Sequence, residues 1–210
     1  MIQHPPLKLS LYLSEISMNK IFVILAALIL SGCATKLTQL NVPTQIEHNG
    51  KNYVLAGSQD LDTIARYVYV AKPDTLENWQ SQIEVLFDRN HPPRSIKSRI
   101  ALRDRIYRNT GIKHFHFDIV PDKSPNATEL EGYVVYSPTK ENPSWQVNMM
   151  RGRDLPQCGF VQFQYAQKVQ QPYLSARFSD EKVRKYIQKY IVEKEIKHLQ
   201  DLEWLWDCKH

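Results

Sequence analysis

Cys158-Gly159-Phe160-Val161-Gln162-Phe163-Gln164-Tyr165-Ala166-Gln167-Lys168-Val169 alternates over its length, with Val161, Phe163 and Tyr165 on one parity and Gln162 and Gln164 on the other. A period of two places these sets on opposite faces of an extended chain. The stretch therefore reads as a long strand with one face toward a core and the other toward solvent. Upstream, Trp145 to Met150, Glu131 to Ser137 and Lys113 to Val120 give three more strands. Ser95 to Arg108 precedes them as a helix, bringing Ile96, Ile100, Ile106 and Tyr107 near one stripe. Downstream, Ser179 caps a second helix with Asp180 and Glu181 in its first turn. Val183, Tyr186, Ile187, Tyr190 and Ile191 form its apolar face, and it runs past Leu199.

The N-terminal half opens with a hairpin, because Asn49-Gly50 stands between Thr44 to Glu47 and Asn52 to Leu55 and suits a turn with two positive φ values. Ile64 to Val70 is a β-branched and aromatic strand ended by Lys72-Pro73-Asp74. Thr75 to Gln80 reads as one helical turn, followed by a strand carrying Ile83, Val85 and Phe87; a single helix from Asp74 to Asp88 is the other arrangement. His91-Pro92-Pro93 is a break. Strands in runs with two long helices predict an α+β domain: a mainly antiparallel sheet with both helices packed on it, on one face.

Met18-Asn19-Lys20 and the apolar run Ile21 to Leu30 have the form of a secretory signal, too short to span a bilayer. It ends in Leu30-Ser31-Gly32-Cys33, and the whole run resembles the bacterial lipoprotein signal with its lipobox. That resemblance implies thioether lipidation of Cys33, cleavage before it and acylation of the new amino terminus. The acyl chains, at ~0.8 kcal/mol per buried methylene, exceed the two-signal threshold for stable anchoring. Residues 1–32 are thus a signal with an upstream extension, Met18 the better start, 33–42 a lipidated tether and 43–210 a single domain. Ala34 rather than aspartate after the cysteine points to the outer membrane, with the domain facing the periplasm.

Arg66-Tyr67-Val68-Tyr69-Val70, Thr75-Leu76-Glu77-Asn78-Trp79 and Ile83-Glu84-Val85-Leu86 resemble a pattern of small exported bacterial proteins, with Tyr69 where that pattern often has proline. It carries no activity with it.

With Cys33 lipidated, Cys158 and Cys208 remain in an oxidising compartment, and a disulfide between them is expected. Two free redox thiols are the competing reading, without a C-x-x-C spacing in support. The chain of 210 residues carries a net charge of +5, mildly basic and no nucleic-acid signature.

His114-Phe115-His116-Phe117-Asp118 is the most chemically suggestive stretch. On a strand, His114, His116 and Asp118 share a face, and imidazole and carboxylate are zinc ligands. A metal-dependent hydrolase using these three is the alternative function; a polar face opposite Phe115 and Phe117 explains the same residues without metal. Arg94, Lys97, Arg99, Arg103, Arg105 and Arg108 crowd the first helix and could present a basic surface to anionic lipid or an acidic partner. Leu202, Trp204, Leu205 and Trp206 read as core plugs beside Cys208 rather than a ligand box.

The chain has no G-x-S-x-G elbow, phosphate-cradling glycine loop or H-E-x-x-H helix. No catalytic residue and no cofactor is assigned. The expectation is a non-enzymatic binding or scaffold lipoprotein, held in the membrane by Cys33 and engaging an envelope or secreted protein, with an inhibitor or immunity type as its specific form.

Overall fold

In the computed structural model, Asn49 and Gly50 have φ of 49° and 69°, so the turn expected from their identity closes the first hairpin, β2 (Gln45–His48) to β3 (Lys51–Asp60), after the short strand β1 (Gln39–Asn41). The structure describes residues 38–121, 128–156, 158–169 and 178–209, all within one compact unit, Leu37–His210. The signal, Met18, Cys33 and the first part of the tether lie outside the described residues. β4 (Ile64–Ala71) and β5 (Ser81–Asp88) continue the antiparallel meander. The intervening Thr75–Gln80 is an irregular loop instead of the expected helical turn. Asp74 Oδ2 accepts from the backbone of Gln80 at 2.7 Å, and the Thr75 hydroxyl accepts from Asn78 N at 3.1 Å. These local bonds offer the backbone partners that a helix would otherwise supply.

Helix α1 (Ile96–Asn109) starts at Ser95, whose side chain accepts from Ser98 N. Strands β6 (His114–Pro121), β7 (Thr128–Tyr136), β8 (Trp145–Leu155) and β9 (Gly159–Val169) follow. The eight-stranded antiparallel curled sheet has the order β2-β3-β4-β5-β9-β8-β7-β6, so β9 joins the two meanders and sits near the centre.

The C-terminal helix begins as α2 (Asp180–Ile187), capped by Ser179, passes through a π-helical turn (Gln188–Val192) and ends as α3 (Glu193–Asp201). The π turn inserts a residue and shifts the buried face: Val183 and Ile187 are followed by Val192, Glu195 and Leu199, while Tyr186 and Tyr190 face solvent. Strand β10 (Asp207–Lys209) pairs with β1, Leu40 opposite Cys208. Gln39–Asn41, assigned by sequence to the tether, is therefore part of the fold, because its backbone finds partners in the C-terminal tail. Arg89 ties down the same region, donating to Thr38 O at 2.7 Å and to both Asp60 oxygens.

The two helices do not share a face of the sheet. Val161, Phe163 and Tyr165 of β9 pack in one cluster with Val183, Ile187, Val192 and Leu199 of the C-terminal helix. Phe160 of the opposite parity packs with Leu130, Val134, Met150 and Ile96 of α1. Gly132 leaves room for Phe117 of the neighbouring strand β6 to lie across β7, where a Cβ would meet Phe117 Cδ1 at 2.3 Å, and Phe117 there stacks on Tyr107 of α1 at 5.7 Å. The single-face expectation fails because both parities of β8 and β9 are covered, including Gln162, which is 5% exposed and accepts from Arg103 at 2.5 Å.

Candidate functional site

β2 is an edge strand, and its inward residues Ile46 and His48 face the core beside the C-terminal helix. His48 Nε2 lies 2.6 Å from Glu195 Oε1, and Asn49 Nδ2 donates to Glu195 Oε2 at 2.8 Å. The His48 ring is also packed against Tyr165, Phe163 and His198, at centroid distances of 4.7, 5.5 and 4.8 Å. Burial opposes the charged form of Glu195, but the hydrogen bonds from His48 and Asn49 and the charges of His48 and His198 outweigh it and hold the carboxyl below its ordinary value. A depressed carboxylate stabilises the fold above the unfolded value and loses that contribution as pH falls through the folded one. The stability gap between the native protein and Glu195→Gln should thus be widest near neutrality and narrow below about pH 4.5. Urea titrations at several pH values test this, and a gap that stays constant into acid would remove the charge from the account.

Two clamps hold the tail that follows α3. Arg151, on β8, donates to both oxygens of Glu129 at 2.5 and 2.9 Å, and its Nη1 donates to the carbonyls of Leu199 and Leu202 at 2.8 and 2.9 Å. These carbonyls belong to the helix end, where the intrahelical ladder runs out and Leu199 O keeps only a long bond, 3.3 Å, from Leu202 N. The second clamp is the Cys158–Cys208 disulfide, Cα atoms 5.9 Å apart. Between the clamps the tail spans from Leu202 to Asp207 as a strap. The strap, Pro43 and Ile46 of the edge, and Phe163 enclose a cleft of about 440 Å³, a size typical of ligand sites.

The cleft is mainly apolar, with Glu47 and Glu203 among its lining residues. Arg151, the guanidinium among the described lining residues, is spent on Glu129 and the helix end. Two buried polar atoms without a hydrogen-bond partner, His48 Nδ1 and Trp204 Nε1, belong to residues of this same lining. Trp204 lies under the guanidinium groups of Arg151 and Arg153, at 5.3 and 4.9 Å, and Leu205 is 74% exposed. Trp204 and Trp206 are thus half-buried walls of a cleft as well as packing against the core, and not the plain core plugs expected.

The other expected sites fare differently. His116 and Asp118 do share a face, 3.9 Å apart and 64% and 68% exposed. His114 lies at the strand start, beside Arg184 in a separate depression, where burial and the charges of Arg184 and Lys113 push its imidazole down. Among the described residues no group of three or more His, Cys, Asp or Glu forms a metal site. The basic stripe of α1 is not one surface. Arg99 is 4% exposed, bonded to Asp88 at 2.6 Å and stacked 4.0 Å over Phe160, while Arg103 turns to Gln162 and Arg108 pairs with Asp104. Arg94 stands 3.7 Å from Asp88, leaving Lys97 and Arg105 as the exposed cations of the stripe without an ion-pair partner among the described residues. Helical geometry turned Arg99 and Arg103 inward with Ile96, where buried acceptors on the sheet await them.

A family model matches residues 40–204, from β1 to Trp204 in the cleft wall. A protein of Haemophilus influenzae titled "Uncharacterized protein" is 73% identical over 192 residues, which cover 91% of this chain and the whole of that protein. No solved structure matches the chain.

Proposed function

Since the chain belongs to the bacterial family matched over residues 40–204, we propose that it is an exported lipoprotein of the outer membrane whose domain faces the periplasm and binds an envelope or secreted protein through the cleft under the C-terminal strap. The observation that carries the binding part is the strap itself. An ion pair and a disulfide fix its two ends, while the segment between them, packed on the core through Trp204 and Trp206, also encloses apolar volume. The Leu30-Ser31-Gly32-Cys33 run supports the anchor, and a disulfide fits the oxidising compartment that export implies. His48 and Glu195 form a buried pair oriented for packing, with no serine, threonine or cysteine hydrogen-bonded to the ring among the described residues. Binding rather than turnover is the chemistry this arrangement favours, and an inhibitor or immunity type is its specific form.

Anchoring is tested by Cys33→Ser. Cells fed an alkyne-tagged palmitate should label the native protein and leave the variant unlabelled, and the variant should leave the membrane pellet. Equal labelling of both forms would overturn the anchor.

A further inference from the structure

Beyond a cleft that binds something, the geometry identifies what kind of segment it fits. We infer that the cleft takes an extended peptide, added as a strand along the free edge of β2, with an apolar side chain in the cleft and a lysine or arginine at its rim. This rests on the binding reading above and deepens it.

Three observations converge. The first is the edge. β2 ends the sheet order and pairs with β3 through His48–Lys51 and Ile46–Tyr53, the turn-adjacent pair and every second one after it. In a two-residue hairpin those are the pairs that exchange both backbone bonds, and the Leu55 N to Thr44 O bond at 2.9 Å continues the series. Gln45 and Glu47 therefore turn their N–H and C=O groups away from β3. Among the described residues no backbone bond reaches them from the other side. Such an edge is the template for β-augmentation, in which main-chain bonds give affinity and side-chain pockets give specificity.

The second observation is the place of the cleft. Gln45, Ile46, Glu47 and His48 all line it, so a strand laid on this edge would run along the cleft and could set an alternate side chain against Phe163, Leu202 and Trp206. Leu205, the most exposed of the large apolar side chains among the described residues, stands at the same place and is ready to be covered.

The third is charge. The chain as a whole is basic, at +5, yet Glu47 and Glu203 of the lining are carboxylates with no ion-pair partner among the described residues. Arg151 offers nothing to an anion, being engaged by Glu129 and the helix end. An acyl chain with an acidic headgroup would meet like charge here, whereas a basic side chain flanking an apolar one would meet its complement.

The experiment titrates the full-length protein, as isolated from cells, with a capped peptide of alternating leucine and lysine, read by tryptophan fluorescence. Comparison ligands are the leucine–glutamate and serine–lysine peptides and palmitate. The leucine–lysine peptide should bind best and weaken as salt rises. Gln45→Pro removes one outward N–H and no backbone bond to β3, and the side-chain bond that Gln45 Oε1 accepts from Asn52 Nδ2 at 3.1 Å is lost equally in Gln45→Ala, so the proline should weaken binding by about tenfold while the alanine should not. Glu203→Gln, on the strap outside any helix or strand, should weaken it by about threefold at low salt and supplies the charge test should the proline variant melt early. Several results would overturn the inference: equal binding of the leucine–glutamate peptide, a Gln45→Pro variant of native melting temperature that binds as before, or palmitate occupying the cleft in place of the peptide. Palmitate binding would retain the cleft as a ligand site, and no binding by any probe in a protein still labelled at Cys33 would leave the anchor standing alone.

Discussion

Arg151→Ala should destabilise the domain by about 3 kcal/mol, the lower end of the usual cost of removing one partner of a buried ion pair, because Arg153, 3.5 Å from Glu129 Oε1, still compensates part of the remaining charge. Arg151 and Glu129 are each about 5% exposed or less, so solvent cannot take over the lost bonds. The change also strips donors from the carbonyls of Leu199 and Leu202 and takes one of the two guanidinium groups from beside Trp204. The end of α3 should then fray, and the strap should lose its first clamp. Arg151→Lys is the informative companion, since one ammonium cannot reproduce the two-pronged contact to Glu129 together with the two carbonyls. Urea unfolding with tryptophan fluorescence reads both variants. A cost below about 1 kcal/mol for Arg151→Ala would mean that the clamp is not a structural element.

Removing the second clamp should have an effect of similar size. The disulfide spans a sequence separation of 50, and the chain-entropy argument gives up to about 4 kcal/mol for such a loop. Cys158→Ala with Cys208→Ala should therefore lower the melting temperature by roughly 4 to 16 °C, using about 2 to 4 kcal/mol and the usual slope for a domain of this size. The loss should be local first. Cys208 lies in β10, which pairs with β1 over only three residues, so freeing it releases both the strap and the strand that follows Thr38. The native protein under reductant should behave as the double variant does. An unchanged melting temperature in both would contradict the role given to the bridge.

Much of the fold is legible in the sequence because local chemistry and tertiary structure agree. Asn49-Gly50, Ser95 and Ser179 mark a turn and two helix starts by what their side chains and backbones can do, and each is found in that role. The α+β class follows from the alternation of the strands. What alternation conceals is whether the second face is wet. Gln162 and Asn148 look like solvent-facing positions, but both are buried beneath or beside α1's face of the sheet, satisfied by polar partners instead of water. Arg99 and Arg103 belong to the same error, since a charged residue on a helix reads as exposed until its buried acceptor is known.

The cleft was harder still. Trp204, Leu205 and Trp206 announce themselves, and Cys208 suggests how they are held. Arg151, His48 and Glu195 do not, because they meet the strap or one another across more than 45 positions of chain. Glu195 reaches His48 through the π turn, which moves the inner face of the helix by one residue. A strict 3.6-residue count places Tyr190 inside and loses the register that follows. A non-local ion pair and a local irregularity of this kind leave no periodic signature.

The direct test of the cleft as the binding site is amide hydrogen exchange of the full-length protein with and without the leucine–lysine peptide. Protection confined to residues 43–48 and 202–206, and absent from the Arg151→Ala variant, is the expected result. Protection along α1, around Lys97 and Arg105, with none at β2 or the strap, would contradict it.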